Sequence, residues 1–364
     1  MAIITIRKLT KWGGRTRPRW APWPGLVVLT RVYVFDHTAG RGRPAQTRGS
    51  APLLVTLGLI VVAVAGQSQS VQFDHRYTFG SKYGIHPPKF LSTKAAIGAL
   101  GTGEHPYGLG YPVGVTTDVR GRLWITDIGT ASVHVFDMSS GGYREIRRVG
   151  DAILQQPSGI VTDTVGRIYM TDTASGGIYV FDENGEFDHA LFKRGEHPLQ
   201  SPTAIALSEE GRTIYVADPP RNAIVALNRE GEVDEILSMP EDRSEPIAIS
   251  VIDNQLYVLT NRQHRVYILS PAGHLRGELR WDGVTYPTAF AYDRRQQRFL
   301  TSNPRSMTVQ IFNEEGQNLG AFGQYGDGLE QMKRVDALHI DARGLVYVVD
   351  SHEGKVLVFA ESHQ

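Results

Sequence analysis

Four carboxylates, Asp127, Asp172, Asp218 and Asp350, each end a short aromatic-centred run and stand just before a turn. Acidic residues repeated in this way could form a cation-binding ring. The other reading is a turn cap, with each carboxylate bonding nearby backbone N–H groups, and the recurrence of the Asp within a longer repeat favours it. A second group could bind an anionic or hydrogen-bonding ligand: Arg221-Asn222, Asn261-Arg262-Gln263-His264 and Asn303-Pro304-Arg305. Two copies of Gly-Glu-His-Pro carry His105 and His197, and His352 follows Asp350 by two positions. Arg forks suit carboxylates, and loops on a rigid frame are where binding residues gather, although Asn, Pro and Arg are also ordinary turn composition. The chain has no cysteine, which removes thiol nucleophiles, thiolate metal sites and disulfides.

The elements that position these residues repeat six times. The middle runs are Leu123–Asp127, Ile168–Asp172, Ile214–Asp218, Leu256–Thr260, Arg298–Ser302 and Val346–Asp350, and their last residues lie 45, 46, 42, 42 and 48 positions apart. A period in the forties with several short strands per unit predicts an all-β, six-bladed β-propeller of four-stranded antiparallel blades. The first strand of each copy begins with Pro or Val, as in Pro112-Val-Gly-Val and Pro157-Ser-Gly-Ile. Its third residue is small (Gly114, Gly159, Ala204, Ala248, Ala289, Ala337) and its fourth is large and apolar (Val115, Ile160, Ile205, Ile249, Phe290, Leu338). Innermost strands that converge on an axis need Gly or Ala for close backbone approach, and the large neighbour fills the space between blades.

The sixth copy stops after Phe359 with no fourth strand. An unmated edge is a liability, so a strand preceding the first copy is expected to close the ring. Lys89–Thr93 or Ala96–Leu100 are the segments expected to do so. The propeller is thus expected over 89–361, with 66–88 as a linker or lead-in.

These residues resemble NHL repeats: Pro-x-Gly-Ile/Val, then Gly-Arg-Ile-Tyr-Val-x-Asp, then Val/Ile-x-Val-Phe, over about 107–360. Thr260 and Ser302 depart from the pattern where Asp is expected. The resemblance implies a binding platform, with a metal-dependent lyase or lactonase of the amidating-lyase or gluconolactonase-like propeller type as the alternative. A catalytic metal needs three or more ligands converging at one depth. The first strands offer only His339 and Asp336, both in the sixth copy, so neither a metal, a cofactor nor catalytic residues are expected.

Residues 1–65 are read apart from the repeats. They hold ten Lys/Arg against one acidic residue, Asp36, which leaves 28 basic and 37 acidic residues in the body. An acidic body argues against nucleic acid as a partner. Ala51–Ala65 is an uncharged run behind Arg41, Arg43 and Arg48, closing on Ala63-Val64-Ala65. That pattern fits a secretory signal with cleavage after Ala65, and a membrane contact only if the segment is retained. The expected function is a periplasmic or extracellular binding module for a peptide, glycan or protein partner.

Overall fold

A computed structural model of the chain describes residues 71–80, 108–192 and 198–362. They form six four-stranded antiparallel sheets arranged as a six-bladed propeller, and none of the described residues is α-helical. Blade one comprises Pro112–Thr117, Arg122–Asp127, Ser132–Asp137 and Tyr143–Ile146, and blades two to five repeat that plan at the predicted spacing. The second and third strands are buried along almost their whole length, as at Ile168–Asp172 and Gly177–Phe181. The fourth strands are mostly exposed, as at Val233–Ser238. The polar fourth strands thus lie at the rim, where the outer edge of each blade faces water.

Blade six is completed from the other end of the described chain. Its strands are Ala337–Ile340, Val346–Asp350, Lys355–Glu361 and, as the outermost, Phe73–Gly80. The register runs from Phe73 opposite Glu361 to Gly80 opposite Lys355. The ring is therefore closed by an N-terminal strand, but by residues 73–80 and not by the expected 89–93 or 96–100, which lie outside the described residues. Phe73, His75, Tyr77 and Phe79 alternate with polar residues at the period of two that a half-buried strand requires. Phe79, 2% exposed, packs on blade one through the Phe136 ring at 5.2 Å, while Phe73 stacks on Phe322 of blade five at 4.5 Å. One strand thus joins three blades.

The apolar core divides into six clusters, each shared by two adjacent blades. Tyr169, Ile178 and Val180 of blade two, for instance, meet Ile205, Val216 and Val225 of blade three. At the hub the small residue of each first strand lies against the next blade. A Cβ built on Gly159 would come within 2.8 Å of Ala204 Cα and 2.9 Å of Ile205 N.

Candidate functional site

The propeller has two faces. One carries the turns between second and third strands together with the links between blades; the other carries the turns between first and second strands. On the link face, the carboxylates ending the second strands hold two segments at once. Asp172 accepts the N–H groups of Gln155 (2.7 Å) and Gln156 (3.2 Å) from the incoming link and that of Ser175 (3.0 Å) from its own turn. Asp127 does the same for Gly110, Tyr111 and Thr130. Asp218 accepts from Gln200 and Ser201, and Asp350 from Lys333 and Glu353. Burial pushes the Asp350 carboxyl above its ordinary range, against the pull of those N–H groups. In blade five Ser302 takes over the task, its Oγ accepting from Thr288 N (2.8 Å) and Ala289 N (3.1 Å). Thr260, its blade-four counterpart, instead donates from Oγ1 to the Arg265 carbonyl at 3.4 Å. Replacing Asp172 by Ala strands three N–H groups, and we expect a loss of about 2–3 kcal/mol in urea unfolding, with Asp172→Asn recovering part of it.

The cationic and amide residues of this face are engaged mainly with each other's loops. Asn222, held left-handed at φ 52°, donates from Nδ2 to the Glu241 carbonyl at 2.8 Å and accepts from Glu245 N at 3.2 Å. Arg221 sets Nε 3.0 Å from the buried Asp218 carboxylate. Glu245 accepts from Asn261 Nδ2 (2.9 Å) and Arg262 Nε (2.7 Å), and these two bonds hold its carboxyl below the usual range. His264 meets the Tyr286 ring edge-on at 4.3 Å, and desolvation lowers its imidazole pKa. Asn303 is buried, donating to the Gly283 carbonyl and accepting from Arg305 N. Arg305 and His352 are exposed. His105 and His197 lie outside the described residues.

An axial basin of about 740 Å³ opens on the opposite face, surrounded by residues of all six first strands. Thr116, Thr117, Thr162, Ser250 and His339 supply hydroxyls and an imidazole, while Leu207, Val251 and Ala291 supply apolar wall. The large first-strand residues Ile160, Ile249 and Leu338 reach both the basin wall and the packing between blades. His339 Nε2 accepts from Thr117 N at 3.2 Å and from Thr117 Oγ1 at 2.9 Å, which places the ring proton on Nδ1. Desolvation pushes this imidazole down to about 4, so it stays neutral at neutral pH.

The basin mouth is framed by turns that carry their own carboxylate clamps. Asp163 accepts from Val165 N, Arg167 N and Arg167 Nε, and Asp118 from Arg120 N, Arg122 N and Trp124 Nε1. Asp293 and Asp341 repeat the arrangement in blades five and six. Asp118 and Asp163, each three residues before a Gly-Arg pair, are the signal by which two of these turns could have been found in the sequence. Among the described residues no three His, Asp or Glu side chains stand together in a way that could hold a metal ion. The basin lining combines hydroxyls, an imidazole and apolar side chains, with ion pairs at its rim: Arg294 with Glu209, and Asp163 with Arg167 and Arg229.

Comparison with known proteins bears on the fold. A family model described as a 6-bladed beta-propeller matches residues 150–242. No curated protein matches the sequence. Among solved structures, the chain is similar to a streptogramin B lyase, with 14% identity and a TM-score of 0.52 over 68% of this chain and 78% of that one. It is also similar to a catalytically inactive virginiamycin B lyase from Staphylococcus aureus with quinupristin (15%, TM-score 0.53, 69% and 83%). A third likeness is to the hydrazine synthase of Kuenenia stuttgartiensis (17%, TM-score 0.52, 69% and 76%). At these identities the likenesses establish architecture and leave activity open. What these likenesses show is the fold alone.

Proposed function

We propose that this chain is an exported, NHL-like propeller that works as a binding module, taking part of a peptide, glycan or protein partner into its axial basin. The single observation carrying this reading is the convergence of Thr116, Thr117, Thr162, Ser250 and neutral His339 on one concavity walled by aliphatic side chains. Ligand sites of this kind combine apolar surface with a few placed polar groups. The interlocked blades make the site largely preformed, which lowers the ordering cost of binding. The uncharged run at 51–65, behind its arginines, supports export. The metal-dependent lyase or lactonase alternative has less support, because the described residues offer it no ligand cluster.

The test is a screen of peptide and glycan arrays against the wild type and two variants. Ser250→Trp fills the basin; the triple Arg221→Ala, Arg262→Ala, Arg305→Ala strips the link face. Bound partners are expected to lose about tenfold or more in affinity to the filled basin and to change less than about twofold with the triple variant. The reverse pattern would move the site to the link face and end this reading.

A further inference from the structure

The basin wall mixes polar and apolar side chains, in different proportions around the ring. Its arc over blades six, one and two is polar, with His339, Thr117, Thr116 and Thr162, the last two hydroxyls 3.3 Å apart. Its arc over blades three to five holds the aliphatic side chains Leu207, Val251 and Ala291, with Ser208, Ser250 and Tyr292 beside them. On the rim of this arc lies an ion pair, Arg294 Nη2 of blade five 3.0 Å from Glu209 Oε1 of blade three. The guanidinium passes blade four on the way, the same Nη2 donating to the Val251 carbonyl at 2.5 Å. Blade four allows the crossing because its turn is only Asp253-Asn254, both left-handed at φ 48° and 56°, whereas the turns of blades three and five are longer.

We infer that Arg294 is the anion anchor of this basin and that the ligand is an amphipathic monocarboxylate: its carboxylate displaces Glu209 from the guanidinium and its apolar body lies along Leu207, Val251 and Ala291. The inference rests on the basin as the binding site and adds the class of ligand. Three features carry it. The pair is exposed, with side-chain exposures of 53% and 38%, so water and salt weaken it and exchange of one carboxylate for another costs little. Both protein contacts of the guanidinium use Nη2, so once Glu209 leaves, an Nη2 N–H stands beside the donors of Nε or Nη1, and such a planar fork takes a carboxylate by two parallel bonds. Leu207, Val251 and Ala291 stand beside the hydroxyl of Ser250 on the wall below Arg294, which suits a largely apolar body carrying a polar group. Two sources share this chemistry: a small acylated amino acid and the C-terminal residue of a peptide.

Matched probes separate the possibilities: N-acetyl-leucine against N-acetyl-leucinamide, and a Leu-terminated peptide with free against amidated C-terminus, titrated calorimetrically into the full chain. The acids are expected to bind about tenfold tighter than the amides. Arg294→Gln should erase that difference, with Arg294→Lys intermediate because it keeps the charge and loses the fork. Glu209→Gln should tighten the acids by about three- to tenfold by removing the internal competitor and leave the amides unchanged. Binding of the peptide acid without the small acid identifies a chain terminus as the source; binding of both identifies the shared carboxylate. Equal affinity for acids and amides, weaker acid binding by Glu209→Gln, or no binding of either acid overturns the inference. If acids and amides bind equally and Ser250→Trp abolishes both, the basin remains the binding site and only the carboxylate assignment falls. If Ser250→Trp leaves the binding of both intact, the basin reading falls as well.

Discussion

A chain lacking residues 1–80 is expected not to fold cooperatively, whereas one lacking only 1–69 keeps every blade contact described above and melts close to the full-length protein. The difference is the strand Phe73–Gly80. Without it Lys355–Glu361 becomes an open edge carrying Val356, Leu357, Val358 and Phe359, all buried in the closed ring. An exposed apolar edge of that length invites pairing with another chain. The lost strand also withdraws Phe79 from the packing between blades six and one, Phe73 from Phe322, and the Val71 N–H from the Leu319 carbonyl of blade five. Phe79→Ala alone is expected to cost about 3–5 kcal/mol, set against a total stability of about 5–15 kcal/mol for a domain. Circular-dichroism melts and gel filtration decide the matter. A cooperative monomeric transition for the 1–80 deletion would show that blade six stands without its borrowed strand.

The sequence made the blades legible because a packing demand recurs at every copy. Small-then-large residues in the first strand and a buried aromatic-centred second strand follow from wedges meeting at an axis, and the structure places them so. The closing strand was harder to read. Phe73-Asp-His-Arg-Tyr-Thr-Phe-Gly alternates properly, but it stands more than thirty positions before Pro112, and chain proximity favoured the nearer segments. On the link face, Asn222, Asn261 and Asn303 have the composition of a ligand site, yet the side-chain amide nitrogen of each donates to a neighbouring blade link and not to its own turn. A single copy of the repeat does not reveal that exchange. The basin was hidden for a related reason. Its hydroxyls fall in strand positions where Thr is also a good β-former, and Arg294 and Glu209 lie 85 positions apart in turns that differ in length. What recurs in all copies was readable; what arises between unlike copies needed coordinates.

The hub supplies the second large effect, and Gly159 is the place to measure it. Its backbone is not in the left-handed region, so any cost of a side chain there is steric and not conformational. A Cβ would meet Ala204 Cα at 2.8 Å and both Ile205 N and the Thr203 carbonyl at 2.9 Å, all backbone of the next innermost strand. Backbone cannot swing aside as a flexible side chain can, and in a closed ring blade three cannot back away without disturbing its own packing on blade four. Gly159→Ala is therefore expected to cost about 1–3 kcal/mol and Gly159→Val at least about 4 kcal/mol, within the range known for overpacked interiors or above it. Gly121 is the control for backbone conformation: at φ 76° it has nothing within 4 Å of a built Cβ, so Gly121→Ala should cost only about 1 kcal/mol from the left-handed backbone. Urea midpoints rank the three variants. If Gly159→Val unfolds no earlier than Gly121→Ala, the first strands do not pack backbone to backbone, and the hub must owe its small residues to something other than close approach.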